Sequence, residues 1–319
     1  MLLTSDNETT VIVKMLYFLG IDAGGTKTVG ALANEERELA RAQSGTIKLM
    51  RTGEEIARKN LASLLTQLAA TTGVGLSSIT RTCIGMAGFS VPLVTNWVRA
   101  TVPQLIGGAL LVCGDEEIAL DAAFHGGPGV LVIAGTGSNV VGRTHDGRLA
   151  HAGGWGPALA DEGSGHWIGH EGLRSAFRAM NEGQGTELFE SIIAHWKLGG
   201  LGELIEKANA IPAPDFSQLV PVIVACAERG DAVGLDLLRR AGEELAHLTL
   251  VVIRRLREIG ETSLPRVAFT GGVLHHVAAV RVAMVDALRR AEPAIEVLSE
   301  AVDPVQGALW RARQEHPAS

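Results

Sequence analysis

The chain is poor in cysteine, in aromatic residues, in clustered positive charge and in long apolar runs. Three cysteines, Cys83, Cys113 and Cys226, form neither a CxxC pair nor an even framework, which suits a reducing cytoplasm and argues against a disulfide scaffold. The formal charge is -7 with no Lys/Arg run, so nucleic acid is excluded as an expected partner. The first apolar run, Val11 to Ile21, is broken by Lys14 and ended by Asp22. It is too short to span a bilayer and carries no cleavage pattern of a leader peptide. Two common phosphate signatures are missing as well. Gly135-x-Gly137 has no third glycine, and the run Gly20 to Lys27 has Thr26 where a P-loop requires lysine.

What is present is glycine, 39 residues in 319, beside a 46% hydrophobic composition sufficient for a substantial core. The length suggests about two domains. Gly129 to Gly165 is the densest stretch. It reads as a buried strand (Val130–Ala134), a turn Gly135-Thr136-Gly137-Ser138, a strand (Asn139–Thr144), an Asp146-Gly147 hairpin turn, and a strand (Arg148–Ala152). A glycine-rich loop with Trp155 follows, and Asp161-Glu162-Gly163-Ser164 opens a helix. Clustered backbone N–H groups of glycine turns suit anions. Both glycine turns, this one and Gly24-Gly25-Thr26, join two strands rather than a strand and a helix.

Taken in order, residues 1–15 read as a flexible tail, followed by strands at Leu16–Asp22, Lys27–Ala33 and Glu38–Gln43. Thr52-Gly53-Glu54-Glu55 has the pattern of a capping box, with Ile56, Leu61, Leu64, Leu65 and Leu68 as an apolar face. Strands follow at Arg81–Met86 and Ala109–Cys113, then a short helix at Glu116–Phe124. Gly126-Gly127-Pro128-Gly129 is the expected domain boundary. After Ser164 the pattern is helical, at 164–180, 187–196, 201–208, 216–228 and 232–258. A strand (Arg266–Phe269), a helix (His276–Arg290), a strand (Ile295–Leu298) and a helix (Pro304–Gln314) complete the chain. The expected domains are 16–125 with a returning helix at 303–316, and 126–302 with a helical insertion.

Three motifs in this order resemble the sugar kinase/Hsp70/actin superfamily. Asp22-Ala23-Gly24-Gly25-Thr26-Lys27-Thr28 is similar to its first phosphate motif, Gly135-Thr136-Gly137-Ser138 to its second, and Gly271-Gly272-Val273 to its adenosine motif. The succession GTGSN, GGWG, DEGSGHWIG resembles N-acetylglucosamine kinases and BadF/BadG/BcrA/BcrD ATPases, over about Leu16 to Arg313. The resemblance implies an α/β fold of two actin-like (ribonuclease H-like) domains with a nucleotide and substrate cleft between them. It also implies ATP and Mg2+ as cofactors and allows a homodimer.

On that footing, Gly24, Gly25, Thr26, Gly135, Thr136, Gly137 and Ser138 are expected to give N–H and hydroxyl donors to ATP phosphates, and Gly271 and Gly272 to meet adenosine. Lys27 either faces phosphate or is a solvated strand lysine. The resemblance gives Asp22 to Mg2+ through water, against an Asx-turn role. Asp115, just past a strand, is the candidate catalytic base; followed by Glu116 and Glu117, it also suits a helix N-terminus. Asn139, Gly154, Trp155, Asp161 and Glu162 are the candidate sugar contacts. Trp155, between glycines in a chain with 4% aromatics, stacks on a sugar or fills an interface; Asp161 and Glu162 meet hydroxyls or charge the next helix. His166 and His170 are a weak zinc pair with no third ligand. Leu237, Leu238, Leu245, Leu248 and Val252 form core or a dimer face. N-acetylglucosamine kinases typically carry an Asn after the third strand; here the segment is Ser44-Gly45-Thr46-Ile47-Lys48-Leu49, and Lys48 either meets a more acidic substrate or lies on the surface.

The expected function is ATP-dependent phosphorylation of an amino sugar, N-acetylglucosamine or a related hexosamine. The rival is a BadF-type ATPase that switches a partner enzyme and holds an iron–sulfur cluster on cysteines. Cys83 and Cys113 in strands and Cys226 inside a helix do not look like that cluster.

Overall fold

The computed structural model describes residues 15–314. Most of the expected tail, and positions 315 and 316 of the expected last helix, lie outside that range. The chain separates into two compact units. The first takes in the chain up to Ile118 together with the segment from Pro304; the second runs from Ala119 to Asp303.

The first unit is built on strands β1 (Phe18–Ala23), β2 (Lys27–Ala33), β3 (Glu38–Gly45), β4 (Arg81–Met86) and β5 (Ala109–Gly114). Their order is β3-β2-β1-β4-β5, with β1 antiparallel to β2 and parallel to β4, and β4 parallel to β5. Successive side chains of β1 go to opposite faces. Leu19, Ile21 and Ala23 join the cluster under helix α1 (Leu49–Thr72), which buries Ala57, Leu61, Leu64, Leu65 and Leu68. Helix α2 (Pro92–Thr101) adds Val94, Trp97 and Val98 to the same cluster. On the other face Phe18, Cys83 and Cys113 pack on the returning helix, Pro304–Arg313, through Val305, Ala308 and Leu309. A Cβ on Gly20 would stand 2.7 Å from the backbone nitrogen of Leu309, so this helix can lie so close only over a glycine.

Two details of α1 differ from the sequence pattern. Helical backbone begins at Leu49, and Gly53 interrupts it with φ 75° and ψ 167°. The Thr52 hydroxyl donates to the carbonyl of Lys48 instead of capping the following turn. Ile56, expected in the buried face, is 51% exposed, because it stands five residues before Leu61, whereas Ala57 stands four before it and shares its face.

Helix α3 (Asp115–Phe124) begins in the first unit and ends in the second. Ile118 packs with Phe18 and Cys113, whereas Ala119, Leu120 and Phe124 pack with Leu131, Val141 and Ala268. The division therefore falls inside this helix, not at the glycines after it.

The second unit repeats the sheet scheme with β6 (Gly129–Ala134), β7 (Ser138–Arg143), β8 (Leu149–Gly153) and β9 (Val267–Thr270), in the order β8-β7-β6-β9. The strand expected at Ile295–Leu298 is reduced to one parallel bridge, Val267 to Val297. Only two backbone hydrogen bonds hold it, between Val267 and the peptides of Glu296 and Leu298. The long helix α8 (Ala232–Glu258) covers one sheet face. Its Leu237, Leu238, Leu245 and Val252 are at most 1% exposed, so the stripe is core. Helices α4 (Gly165–Asn181), α5 (Leu188–Trp196), α6 (Leu201–Ala208) and α7 (Val220–Glu228) complete the insertion, and α9 (Gly272–His276) and α10 (Ala278–Ala291) follow β9. A break at Val277 splits what reads in sequence as one helix. A buried ion pair, Arg143 Nη1 to Asp121 Oδ1 at 2.7 Å, ties β7 to the end of α3. Both units thus carry a three-stranded antiparallel meander extended by parallel strands, with no described helix long and apolar enough to cross a membrane.

Candidate functional site

In the first unit, parallel strands bring two carboxylates to one sheet edge. Asp22 is opposite Gly85 on β4, and Gly85 is opposite Cys113 on β5. Asp115 comes two residues later, past the end of β5. With strands about 4.8 Å apart, the two backbone positions are roughly 10 Å apart across β4. A Cβ on Gly85 would lie 2.3 Å from Ile118, so a bare position on β4 seats α3 and with it Asp115.

Asp115 does little of the capping its position suggests. Glu117 accepts the N–H of Gly114 at 3.0 Å and pairs with Arg311 at 3.0 Å, which is the reaching-back half of a capping box. Asp115 accepts the N–H of its neighbour Glu116, at 3.1 Å, and its own backbone N–H. Burial pushes its carboxyl above the ordinary aspartate range; those backbone N–H groups and the charge of Lys48 oppose the rise. A partly buried carboxylate with raised pKa at a strand end is suited to accept a proton.

The turn Gly24-Gly25-Thr26 is held by its carbonyls. The Thr46 hydroxyl, on a buried residue, donates to Gly24 O at 2.7 Å, and Arg51 Nη1 donates to Gly25 O at 3.2 Å. Asn60 in turn donates to Thr46 O at 2.8 Å. The N–H groups of Gly24, Gly25 and Thr26 donate to no described backbone group, and a Cβ on Gly25 would meet nothing within 4 Å. Thr46, Arg51 and Asn60 were not among the sequence candidates: hydroxyl, guanidinium and amide groups after a strand carry no periodic signal. Lys27 is exposed at the start of β2. A hydrated Mg2+ uses one or two carboxylates and completes its shell with water and phosphate. Asp22, half-buried beside an open N–H turn, fits that donor set. No group of three or more His, Cys, Asp or Glu side chains suited to a metal cage occurs among the described residues.

In the second unit the remaining candidates gather around the start of β7. Gly135 N donates to Gly137 O at 2.9 Å, closing the turn, while Gly165 N and His166 N donate to the carbonyls of Gly135 and Thr136 at 2.7 and 3.1 Å. Thr136 and Gly137 keep their N–H groups free of described backbone partners. The Gly271-Gly272 turn lies against this one. A Cβ on Gly271 (φ 98°) would stand 2.3 Å from Ala134 O, and one on Gly135 would be 3.9 Å from Gly272 N. Asn139 pairs with Gly153, and its side chain would lie 3.2 Å from a Cβ on Gly154.

Asp161 and Glu162 face inward more than the sequence suggests. Asp161, 8% exposed, accepts the N–H of Ser138 at 3.3 Å, and the Ser138 hydroxyl donates to Glu162 O at 2.8 Å. Burial raises the Asp161 carboxyl above the usual range, opposed by that N–H. Glu162 Oε2 is buried with no hydrogen-bond partner among described residues. Helix α4 is capped by Ser164, which accepts Trp167 N at 3.0 Å, so neither acid serves as the cap. Trp155 is 73% exposed on a loop whose glycines 153, 154 and 156 all have positive φ. His166 and His170 both set their rings edge-on to Phe216, an aromatic packing contact. All three cysteines are buried.

The pattern of the BadF/BadG/BcrA/BcrD ATPase family matches residues 19–312. The chain belongs to this family. It is 28% identical over 308 residues to an N-acetylmuramic acid/N-acetylglucosamine kinase of Clostridium acetobutylicum, covering 94% of this chain and 99% of the relative. An N-acetyl-D-glucosamine kinase of Dictyostelium discoideum is 29% identical, covering 92% and 97%. A crystal structure from Chromobacterium violaceum, solved as a candidate N-acetylglucosamine kinase, superimposes with a TM-score of 0.72 at 26% identity, covering 93% and 98%.

Proposed function

We propose that the protein is an ATP-dependent kinase that transfers the γ-phosphoryl group to a hydroxyl of an amino sugar such as N-acetylglucosamine. The observation that carries this reading is the half-buried carboxylate of Asp115 on the same sheet edge as Asp22 and the open Gly24–Thr26 turn. The curated sugar kinases similar to it along nearly their whole length support it.

Phosphoryl transfer depends on positioning and charge neutralisation more than on covalent chemistry. The free N–H groups of Gly24, Gly25, Thr26, Thr136 and Gly137 hold phosphate oxygens, and Gly271 and Gly272 admit the adenosine close to backbone. Asp22 would hold a hydrated Mg2+, which when bound would neutralise phosphate charge. Asp115 accepts the sugar hydroxyl proton as that oxygen bonds to the γ-phosphorus and the bond to the ADP oxygen breaks. Asn139, Trp155, Asp161 and Glu162 surround the sugar; Trp155 offers an apolar face, and Glu162 an unpaired buried oxygen for a hydroxyl.

The test is ADP release with Mg-ATP over N-acetylglucosamine, glucosamine, N-acetylmannosamine, N-acetylmuramic acid and glucose, with Asp115→Asn in parallel. Sugar-dependent release abolished in the variant is the expected result. Steady hydrolysis indifferent to sugar would overturn the reading in favour of an ATPase that acts on a partner.

A further inference from the structure

The segment after β3 holds a cation that the mechanism leaves without a task. Thr46, Lys48 and Arg51 wrap the first phosphate turn: Lys48 N donates to the Thr46 hydroxyl at 3.1 Å, that hydroxyl donates to Gly24 O, and Arg51 donates to Gly25 O. Gly53 then breaks the helix, so Leu49 to Thr52 is a single isolated turn resting on that loop. Lys48 is half-buried there. Its ammonium makes no hydrogen bond or ion pair within 4 Å among the described residues, yet its charge is felt at Asp115. Its Nζ is not among the buried polar atoms left without a partner, so water meets its three N–H donors until a charged ligand takes that place. Glu54, the nearest acid along the chain, pairs with Arg58, and the carboxylate of Asp22 is assigned to the metal.

We propose that Lys48 is a specificity residue that receives a carboxylate carried by the sugar, so that the preferred substrate class is an acidic N-acetylated amino sugar. The inference rests on the kinase reading above and deepens it. A neutral sugar leaves the ammonium to water. A sugar with a carboxylate substituent supplies a charge-assisted partner beside the hydroxyl that faces Asp115. Arg51 is engaged with Gly25 and stays with the turn.

N-acetylmuramic acid and N-acetylglucosamine differ by one lactyl ether and make the probe pair. Both kcat/KM and binding without ATP, by isothermal titration, are measured for the unaltered protein, Lys48→Met and Lys48→Arg. The expected result is tighter binding and higher kcat/KM for the acid sugar. Lys48→Met should lower its kcat/KM by roughly ten- to a hundredfold relative to the neutral sugar, and Lys48→Arg should restore most of it. Using the ratio removes any common effect of Lys48 on Asp115. An equal loss on both sugars, or no loss, overturns the proposal while the kinase reading stands. If neither sugar is phosphorylated the kinase reading fails, and the titration alone decides: selective binding of the acid lost in Lys48→Met supports Lys48, and no selective binding overturns it.

Discussion

The two glycine turns both join antiparallel strands, yet they are held in opposite ways. Gly24-Gly25-Thr26 is fixed from outside, by the side chains of Thr46 and Arg51 on its carbonyls, and it keeps three N–H groups open. Gly135-Thr136-Gly137-Ser138 is fixed mainly by backbone: its carbonyls accept the first N–H groups of α4, and Gly271 is pressed against the strand that leads into it. A turn held by side chains can be altered by single substitutions with little effect on the fold. A turn held by close backbone contact cannot, since every added atom displaces a strand.

Asp115→Asn should give the largest effect and sharpen this contrast, because it removes chemistry from the side-chain-held unit without touching packing. We expect kcat to fall by about 10²–10⁴ with sugar binding and thermal midpoint little changed; an active variant would remove Asp115 as the base. Next comes a matched pair of glycines. Gly271→Ala should destabilise by about 2–4 kcal/mol, from positive φ and collision with Ala134. Gly25→Ala, in open space, should leave the unfolding midpoint within about 2 °C while raising the KM for ATP about tenfold. Equal denaturation curves for both variants would break the comparison. Thr46→Val keeps the side-chain volume and removes the donor to Gly24; it should destabilise by about 1 kcal/mol and raise the KM for ATP a few-fold.

The pH dependences differ between the units as well. Asp115 is raised by burial, so the acid limb of kcat/KM should lie above the ordinary aspartate value of about 3.9, with activity lost as pH falls through it. Glu261 is lowered from 4.5 to about 2, by the Ser263 hydroxyl first and by the His145 ring and two backbone N–H groups after it. A depressed carboxyl stabilises the fold above its unfolded pKa and loses that contribution as pH falls toward the folded one. The smallest predicted effect is therefore a decline in thermal midpoint between pH 4.5 and about 2 that Glu261→Gln flattens.

Much of the candidate site was legible because it consists of glycines and acids at strand ends, where backbone geometry restricts the choice of residue. Asp22, Asp115 and the three glycine motifs were all visible in this way. The elements expected from sequence include no helix between the strands at Arg81–Met86 and Ala109–Cys113, although Val94, Trp97, Val98 and Thr101 have helical spacing and form the buried face of α2. The Thr52 capping pattern misled because Gly53 takes a positive φ that ends one helical turn instead of opening the next. Asp161 and Glu162 read as sugar contacts or helix charges, and their bracing of Ser138 depends on a hydrogen bond across 23 residues that no local pattern announces.

By itself the sequence determined the two repeated sheets and the order of the glycine turns, because period-two alternation and the steric needs of glycine are local properties. The tertiary structure decided which groups are left over: Glu117 takes the cap in place of Asp115, Asp161 braces Ser138, and the Lys48 ammonium stands beside the first glycine turn without a partner among the described residues. Whether a donor or acceptor is satisfied depends on distances between residues far apart in the chain, and those distances exist only once the chain has folded.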